Sequence, residues 1–342
     1  MKILAIETSC DETGASVVSK NPNENYVKIL SNVVASSMTL HSKTGGVIPN
    51  VAAREQLKYI VPVIEEAIKN SKLKIENLDA IAVTLGPGLI GSLLIGVETA
   101  KTLSYLWNKP LIPVNHLLGH IYANWLITKN QKPWVIDFPA LVLLVSGGHT
   151  DLVLINNHNN LKWLGGTRDD AAGEAFDKIG RLLNLPYPAG PVMEAIAKKG
   201  NEKAFNFPRP MIGSKDFDFS FSGLKAAVMR KVIATRNMDE KTTVDIAACV
   251  QRSIVQVLLR KTITAAKKYD VRSILLSGGV AANQRLRNEL SIESSKLNIE
   301  FFVPAKSLCT DNAAMIGAYA AFHPKKETWS KIMANPELYF RK

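Results

Sequence analysis

The sequence has 342 residues, 46% of them hydrophobic and 21% charged, with a net charge of +12, which describes an ordinary globular protein long enough to form two domains. No run of 18 apolar residues occurs and no export-type leader precedes the strand that begins at Ile3, so neither a membrane span nor secretion is expected; three distant cysteines, Cys10, Cys249 and Cys309, argue against a disulfide framework or a thiolate zinc site. The excess of Lys and Arg favours a polyanionic partner, nucleic acid first, although a general basic bias would produce the same figure.

The chain opens with an apolar run, Ile3 to Glu7, a polar loop, Thr8 to Gly14, and a second run, Ala15 to Val18. Val27 to Ser36 extends as a third strand, and His41 to Gly46 is a polar turn. Pro49 to Asn70 has helical periodicity, with Pro62 either kinking the helix or splitting it. It packs on a sheet, and any exposed apolar part would suit a partner subunit. Ala80 to Leu85 runs into Gly86-Pro87-Gly88 and a helix from Ser92 to Trp107, whose small residues allow close approach; a glycine loop under a helix start is also an anion site.

After an extended run from Lys109 to Val114, Asn115 is suited to cap a helix. His116 and His120 then fall one turn apart on one face, a spacing that can bind a single metal ion or simply pack. A zinc-protease helix would need Glu directly after the first His as general base, and that place is Leu117.

The second half repeats the plan. Leu141 to Val145 and Asp151 to Ile155 flank the turn Ser146-Gly147-Gly148-His149-Thr150, which is either a plain hairpin or a cradle for a phosphate or adenylate group. Asp169 to Gly180 is a helix with an acidic start, in which Asp177 either pairs with a Lys or Arg or accepts from ribose hydroxyls; Gly190 lies in the loop that follows. Phe217, Phe219 and Phe221 alternate as in a buried strand, within a basic, aromatic stretch also compatible with nucleic acid. Thr243 to Tyr269 is a long helix with Cys249 on its core side. Ser273 to Ser277 meets Gly278-Gly279 and a helix through Leu290, on which Asn283 either bonds a base or sugar or is solvated. Asp311 or Thr310 caps the small-residue helix Ala313 to Phe322. Each half thus carries a loop-bearing hairpin and then a strand, glycine turn and helix, the mark of an internal duplication.

In order, the motifs ETSCDET, GPGLIGSLLIG, HLLGH, LVSGGHT, DDAAGEAFDK, DFSFSGLK, GGVAAN and CTDN span Lys2 to Phe322. This set resembles the bacterial TsaD branch of the tRNA N(6)-adenosine threonylcarbamoyltransferase family. The resemblance implies an α/β fold of two similar actin-like (ribonuclease H-like) domains with a nucleotide cleft between them, drawn here as 1–125 plus 305–342 and 126–304. It implies that His116, His120 and Asp311 bind one Fe(II) or Zn(II), and that Leu144, Val145, Ser146, Gly147, Gly148, Asp177, Gly190 and Asn283 bind the substrate, threonylcarbamoyl-AMP. The implied reaction transfers the threonylcarbamoyl group to adenosine 37 of tRNAs reading ANN codons. Asp11 and Glu12 are its candidate catalytic groups, with loop ordering the alternative. The implied partners are tRNA, a shorter TsaB-like paralogue and a small TsaE-like ATPase, in the cytoplasm and without a membrane. Asn115 departs from the family, many of whose members have a further His there. A metallopeptidase, a sugar kinase and a non-catalytic nucleotide-binding scaffold are the rivals; the first lacks its Glu, and the other two have no use for His116, His120 and Asp311.

Overall fold

The strands β1 (Lys2–Glu7), β2 (Glu12–Ser19) and β3 (Val27–Ser36) are antiparallel neighbours. They are followed by α1 (Met38–Thr44), α2 (Pro49–Ser71), β4 (Ala80–Gly86), α3 (Ile90–Trp107), β5 (Leu111–Asn115), α4 (His116–Tyr122) and the short β6 (Leu126–Ile127). Next come β7 (Ala140–Val145), β8 (Thr150–Asn157), β9 (Asn160–Gly166), α5 (Ala172–Leu182), α6 (Ala189–Ala197), α7 (Ser222–Ala234) and α8 (Glu240–Lys268). The order ends with β10 (Ser273–Ser277), α9 (Gln284–Ser295), β11 (Glu300–Phe302) and α10 (Ala313–Phe322). These elements belong to a computed structural model that describes residues 1–128, 131–235 and 238–340. They fall into two units, Met1–Val135 with Pro304–Lys342, and Ile136–Val303.

In the first unit a six-stranded sheet has the order β5-β4-β1-β2-β3-β6. Ile3, Leu4, Ala5 and Ile6 are all fully buried, so β1 is covered on both faces. Leu4 and Ile6 share a core with Val17, with Ile60, Val63 and Ile64 of α2, and with Val97 and Ala100 of α3. Ala5 lies on the opposite face, where Gly317 of α10 comes so close that a side chain there would collide with Val18. The alternation of strand side chains then puts Glu7 on the α10 face. Pro62 leaves α2 as one 23-residue helix, not two. The turn expected at His41 to Gly46 is replaced by α1, which Gly45 ends in the left-handed region at φ 68°.

The second unit has a five-stranded sheet in the order β11-β10-β7-β8-β9. Its β7, β8 and β9 are antiparallel neighbours, and β10 joins β7 and β11 in parallel. The first unit pairs β1, β2, β3, β4 and β5 by the same rule, which is the duplication in structural form. The strand expected across Phe217 to Phe221 shrinks to a single bridge between Thr167 and Phe219. All three phenylalanines are nevertheless buried. Asp169 does not serve the start of α5 but accepts from Ser220 Oγ, Ser222 Oγ and Phe221 N, and so fixes the entry to α7. Asp239 caps α8, accepting from Thr242 N at 2.8 Å, so that helix begins three residues ahead of Thr243. Among the described residues α8 alone is long and apolar enough to cross a bilayer, yet 67% of that apolar window is buried. Cys249 sits in this core at 1% exposure.

Candidate functional site

Asn115 ends β5 and its Oδ1 accepts from Leu117 N at 2.8 Å and Leu118 N at 3.3 Å, so the helix α4 starts where the sequence places it. This puts the rings of His116 and His120 together, centroids 4.6 Å apart. Asp311 arrives from the turn before α10. The cap of α10 is Asn312, which accepts from Met315 N at 3.2 Å, and not Asp311 or Thr310. The carboxylate of Asp311 lies 3.2 Å from His120 Nε2 and 3.6 Å from His116 Nε2.

One ligand atom from each of His116, His120 and Asp311 fits within 4.8 Å of the others. The test of fit is His120. It is fully buried, its Nδ1 has no hydrogen-bond partner among the described residues, and its Nε2 meets the Asp311 carboxylate at 3.2 Å without hydrogen-bond geometry, an unfavourable state for an imidazole that a bound ion would relieve. Two imidazoles and one carboxylate are a donor set for Fe(II) or Zn(II) with positions left for substrate. The Asp311 side chain, at 21% exposure, is the open side of the group.

Glu7, which the sequence reading treats only as the end of a strand, completes the surroundings. Its Oε2 lies 3.1 Å from His116 Nδ1 and accepts from Thr84 Oγ1 at 2.6 Å, while Oε1 accepts from Ser9 N at 2.6 Å. Burial would raise its pKa, but the charge and hydrogen bond of His116 outweigh burial and hold the carboxyl below its usual range. An ionised Glu7 only accepts, so His116 donates through Nδ1 and leaves Nε2, on the Asp311 side, as the ring atom whose proton a metal ion would displace. Burial opposes charge on His116, yet Glu7 and Asp311 push its pKa up to about 9. His120 is shifted the other way, chiefly by burial. The sequence signal for Glu7 is a carboxylate closing the apolar run Ile3 to Ile6.

Asp11 and Glu12 lie beside this group without joining it. Burial first, then the charges of Asp311 and Asp11, push the Glu12 carboxyl up to about 10. The Asp11 carbonyl accepts from Ser37 N and Oγ, and the Glu12 carbonyl from Gln56 Nε2 at 2.9 Å. Cys10 is likewise pushed well up, mainly by burial.

The residues assigned to nucleotide all lie in the second unit. Leu144 and Val145 are fully buried in β7, so they can offer a ligand only backbone. The turn after them closes through Ser146 N to the His149 carbonyl at 2.8 Å. A side chain at Gly173, in the first turn of α5, would strike the Ser146 carbonyl, and one at Gly278, after β10, would strike that of Val145. The C-terminal ends of the parallel strands β7 and β10 and the start of α5 therefore meet at this turn, the end of an open sheet where ligands bind. Asp177 Oδ1 accepts from Ala189 N at 2.8 Å, at the start of α6, with the charge of Arg181 also acting on it. Burial raises its pKa against that bond and a second from Gly190. Asn283 is buried rather than solvated, its Oδ1 capping α9 through Leu286 N at 3.0 Å.

The family model for TsaD, tRNA N6-adenosine threonylcarbamoyltransferase, matches residues 28–318. A protein of that name from Moorella thermoacetica is 46% identical over 97% of this chain and 95% of its own length. Another, from Listeria welshimeri, is 51% identical over 98% of this chain and 96% of its own. Among solved structures, full-length HypF in its phosphate- and nucleotide-bound form aligns with 94% of this chain and 46% of its own at TM-score 0.62 and 12% identity. The activator of 2-hydroxyisocaproyl-CoA dehydratase from Clostridium difficile aligns over 95% of both chains at TM-score 0.51 and 15% identity. These distant likenesses show the actin-like fold. The extent and identity of the sequence matches establish that the chain belongs to the TsaD family of tRNA N6-adenosine threonylcarbamoyltransferases.

Proposed function

We infer that this protein is a tRNA-modifying transferase that moves the threonylcarbamoyl group of threonylcarbamoyl-AMP onto the exocyclic amine of adenosine 37 in tRNAs reading ANN codons. Membership of the family over nearly the full chain carries this reading, and the His116, His120 and Asp311 group supports it. In the reaction a C–N bond forms between the carbamoyl carbon and N6, the C–O bond to phosphate breaks, AMP leaves and N6 loses a proton. The adenine amine is a poor nucleophile because its lone pair is delocalised, while the mixed anhydride is already activated. Orientation and charge stabilisation are therefore the main work of the protein.

We assign the nucleotide to the turn at Ser146 to Gly148, with Asp177, Gly190 and Asn283 around it. The support is steric. A side chain at Gly147, Gly148 or Gly279 would meet nothing within 4 Å, and one at Gly190 only Phe176 at 4.0 Å. Packing within the chain does not demand glycine at these places, whereas close approach of a phosphate to backbone N–H groups does. We assign His116, His120 and Asp311 as ligands of Fe(II) or Zn(II); when bound, the ion supplies Lewis-acid polarisation of an oxygen ligand. Glu7 orients His116 for this role. For Asp11 and Glu12, loop ordering has the better support, because their carbonyls hold Ser37 and Gln56 and a base at Glu12 would have to give up a tightly held proton. The net charge of +12 suits a tRNA substrate. We further propose a cytoplasmic location, domains divided near residues 125 and 305, and activation by a TsaB-like paralogue and a TsaE-like ATPase.

The test is nucleoside mass spectrometry on an ANN-reading tRNA transcript incubated with threonylcarbamoyl-AMP, the protein and its proposed partners. Threonylcarbamoyladenosine should form with the wild type and be lost with Asp311→Ala. Product from both would sink the metal assignment alone; product from neither would favour the scaffold.

A further inference from the structure

The sequence after α10 has no helical or strand periodicity, yet Ile332 is 1% exposed and its neighbour Ala334 packs on the same core. This segment runs along β5, the edge strand of the first sheet, from a bridge between Glu327 and Leu111. A segment laid over an edge strand shields it without a full ladder of hydrogen bonds. The hydrogen bonds instead gather at the far end, where β4 and β5 finish and α4 begins. Asn335 N donates to the Leu85 carbonyl at 2.7 Å, Gly88 N donates to the Pro336 carbonyl at 3.3 Å, and Asn115 Nδ2 donates to the Leu338 carbonyl at 3.1 Å.

Two routes lead from these bonds to the histidines. The first is Asn115 itself, whose one side chain holds Leu338 with its nitrogen and the first N–H groups of α4 with its oxygen. The second passes through the glycine loop. Leu89 N donates to the Ser9 carbonyl at 2.8 Å, and Ser9 Oγ lies 3.1 Å from His116 Nδ1. The layers touch directly, since a side chain at Gly86 would collide with the Asn335 carbonyl and one at Gly88 with that of Ser9. We propose that Asn335–Leu338 is a clasp that fixes the two histidine ligands, with Asn115 as the positioning residue that transmits it. The proposal rests on His116, His120 and Asp311 being a metal site. A ligand helix held at its first turn keeps its donor atoms at coordination distance without paying for that order when the ion arrives.

The experiment uses the full chain and Co(II) as probe, read by its visible absorption and by titration, with unfolding midpoints followed by circular dichroism. Asn115→Ser keeps a capping oxygen but loses the amide donor to Leu338. Asn335→Pro removes the N–H that holds Leu85. Both variants are expected to keep the wild-type fold, to bind Co(II) about tenfold or more weakly, and to change the absorption band. Should Asn335→Pro fail to fold, Asn115→Ser decides alone. Wild-type affinity and spectrum in the folded variants would overturn the clasp while leaving the metal site standing. If the wild type takes up no more Co(II) than His120→Ala, the metal reading falls and the clasp with it.

Discussion

Glu7 and His116 are 109 residues apart in the chain, and Glu7 Oε2 lies 3.1 Å from His116 Nδ1. That contact keeps a proton on His116 Nδ1 and leaves Nε2, 3.6 Å from Asp311, as the ring atom facing the carboxylate. Replacing Glu7 by Gln keeps the volume but allows the amide to present a donor, so the ring loses its fixed direction. Glu7→Gln should fold and bind Zn(II) about 10–100-fold more weakly, measured by competition with a chromophoric chelator. Unchanged affinity would remove Glu7 from the account.

The glycines of the second unit should separate into two groups. Gly148→Ala has open space for its new methyl group and should leave stability within about 0.5 kcal/mol while weakening AMP, measured by equilibrium binding. Gly173→Ala drives a methyl group into the Ser146 carbonyl and should cost about 1–3 kcal/mol in urea unfolding. Equal stability effects would show that packing does not distinguish the two.

Asn312 caps α10 and its Nδ2 donates to the Leu308 and Thr310 carbonyls, in the turn that leads into Asp311. Asn312→Ala should lose about 1 kcal/mol for the cap, with a further loss of Zn(II) affinity as the turn loosens. A variant with wild-type affinity would show that Asp311 is held by other contacts.

Asp170 meets Lys178 Nζ at 2.6 Å and Lys225 Nζ at 2.7 Å. Burial raises its pKa, but the hydrogen bonds and charges of the two lysines outweigh it and hold the value below that of an ordinary Asp. The folded state therefore binds this proton less readily than the unfolded chain. The resulting stabilisation is complete above the unfolded Asp pKa and is lost as pH falls through the lower folded value. Unfolding midpoints from pH 6 to pH 2.5 should converge for wild type and Asp170→Asn at the acid end, with the wild type ahead at pH 6. Parallel curves would mean that the two lysines leave the Asp170 proton unaffected.

The parts legible in the sequence are those set by near neighbours. Asn115 before an apolar helical run predicts its own capping role, and the spacing of His116 and His120 predicts their shared face. Strand, glycine turn and helix recur in both halves because each half solves the same packing problem. What escaped is set by distant partners. Asp311 and Asn312 are equally good caps by composition, and only the path of the preceding turn decides between them. Phe217 to Phe221 alternates like a strand, but Asp169 draws the chain away into α7 after one bridge. The covering of β5 by residues beyond Phe322 has no periodic signature, since its bonds run through backbone carbonyls.

The first unit is assembled from both ends of the chain, and this has a consequence during synthesis. A ribosome that has reached residue 303 has made the whole second unit, Ile136–Val303, together with every strand of the first. It has not yet made Asp311, α10 or the residues that bond Asn115. The second unit can thus fold while the first still lacks the helix that covers one face of β1, leaving Glu7 and His116 in contact with water. A nascent chain stalled short of α10 would expose this half-built face to chaperones, and the group of His116, His120 and Asp311 would form only after the second unit is complete.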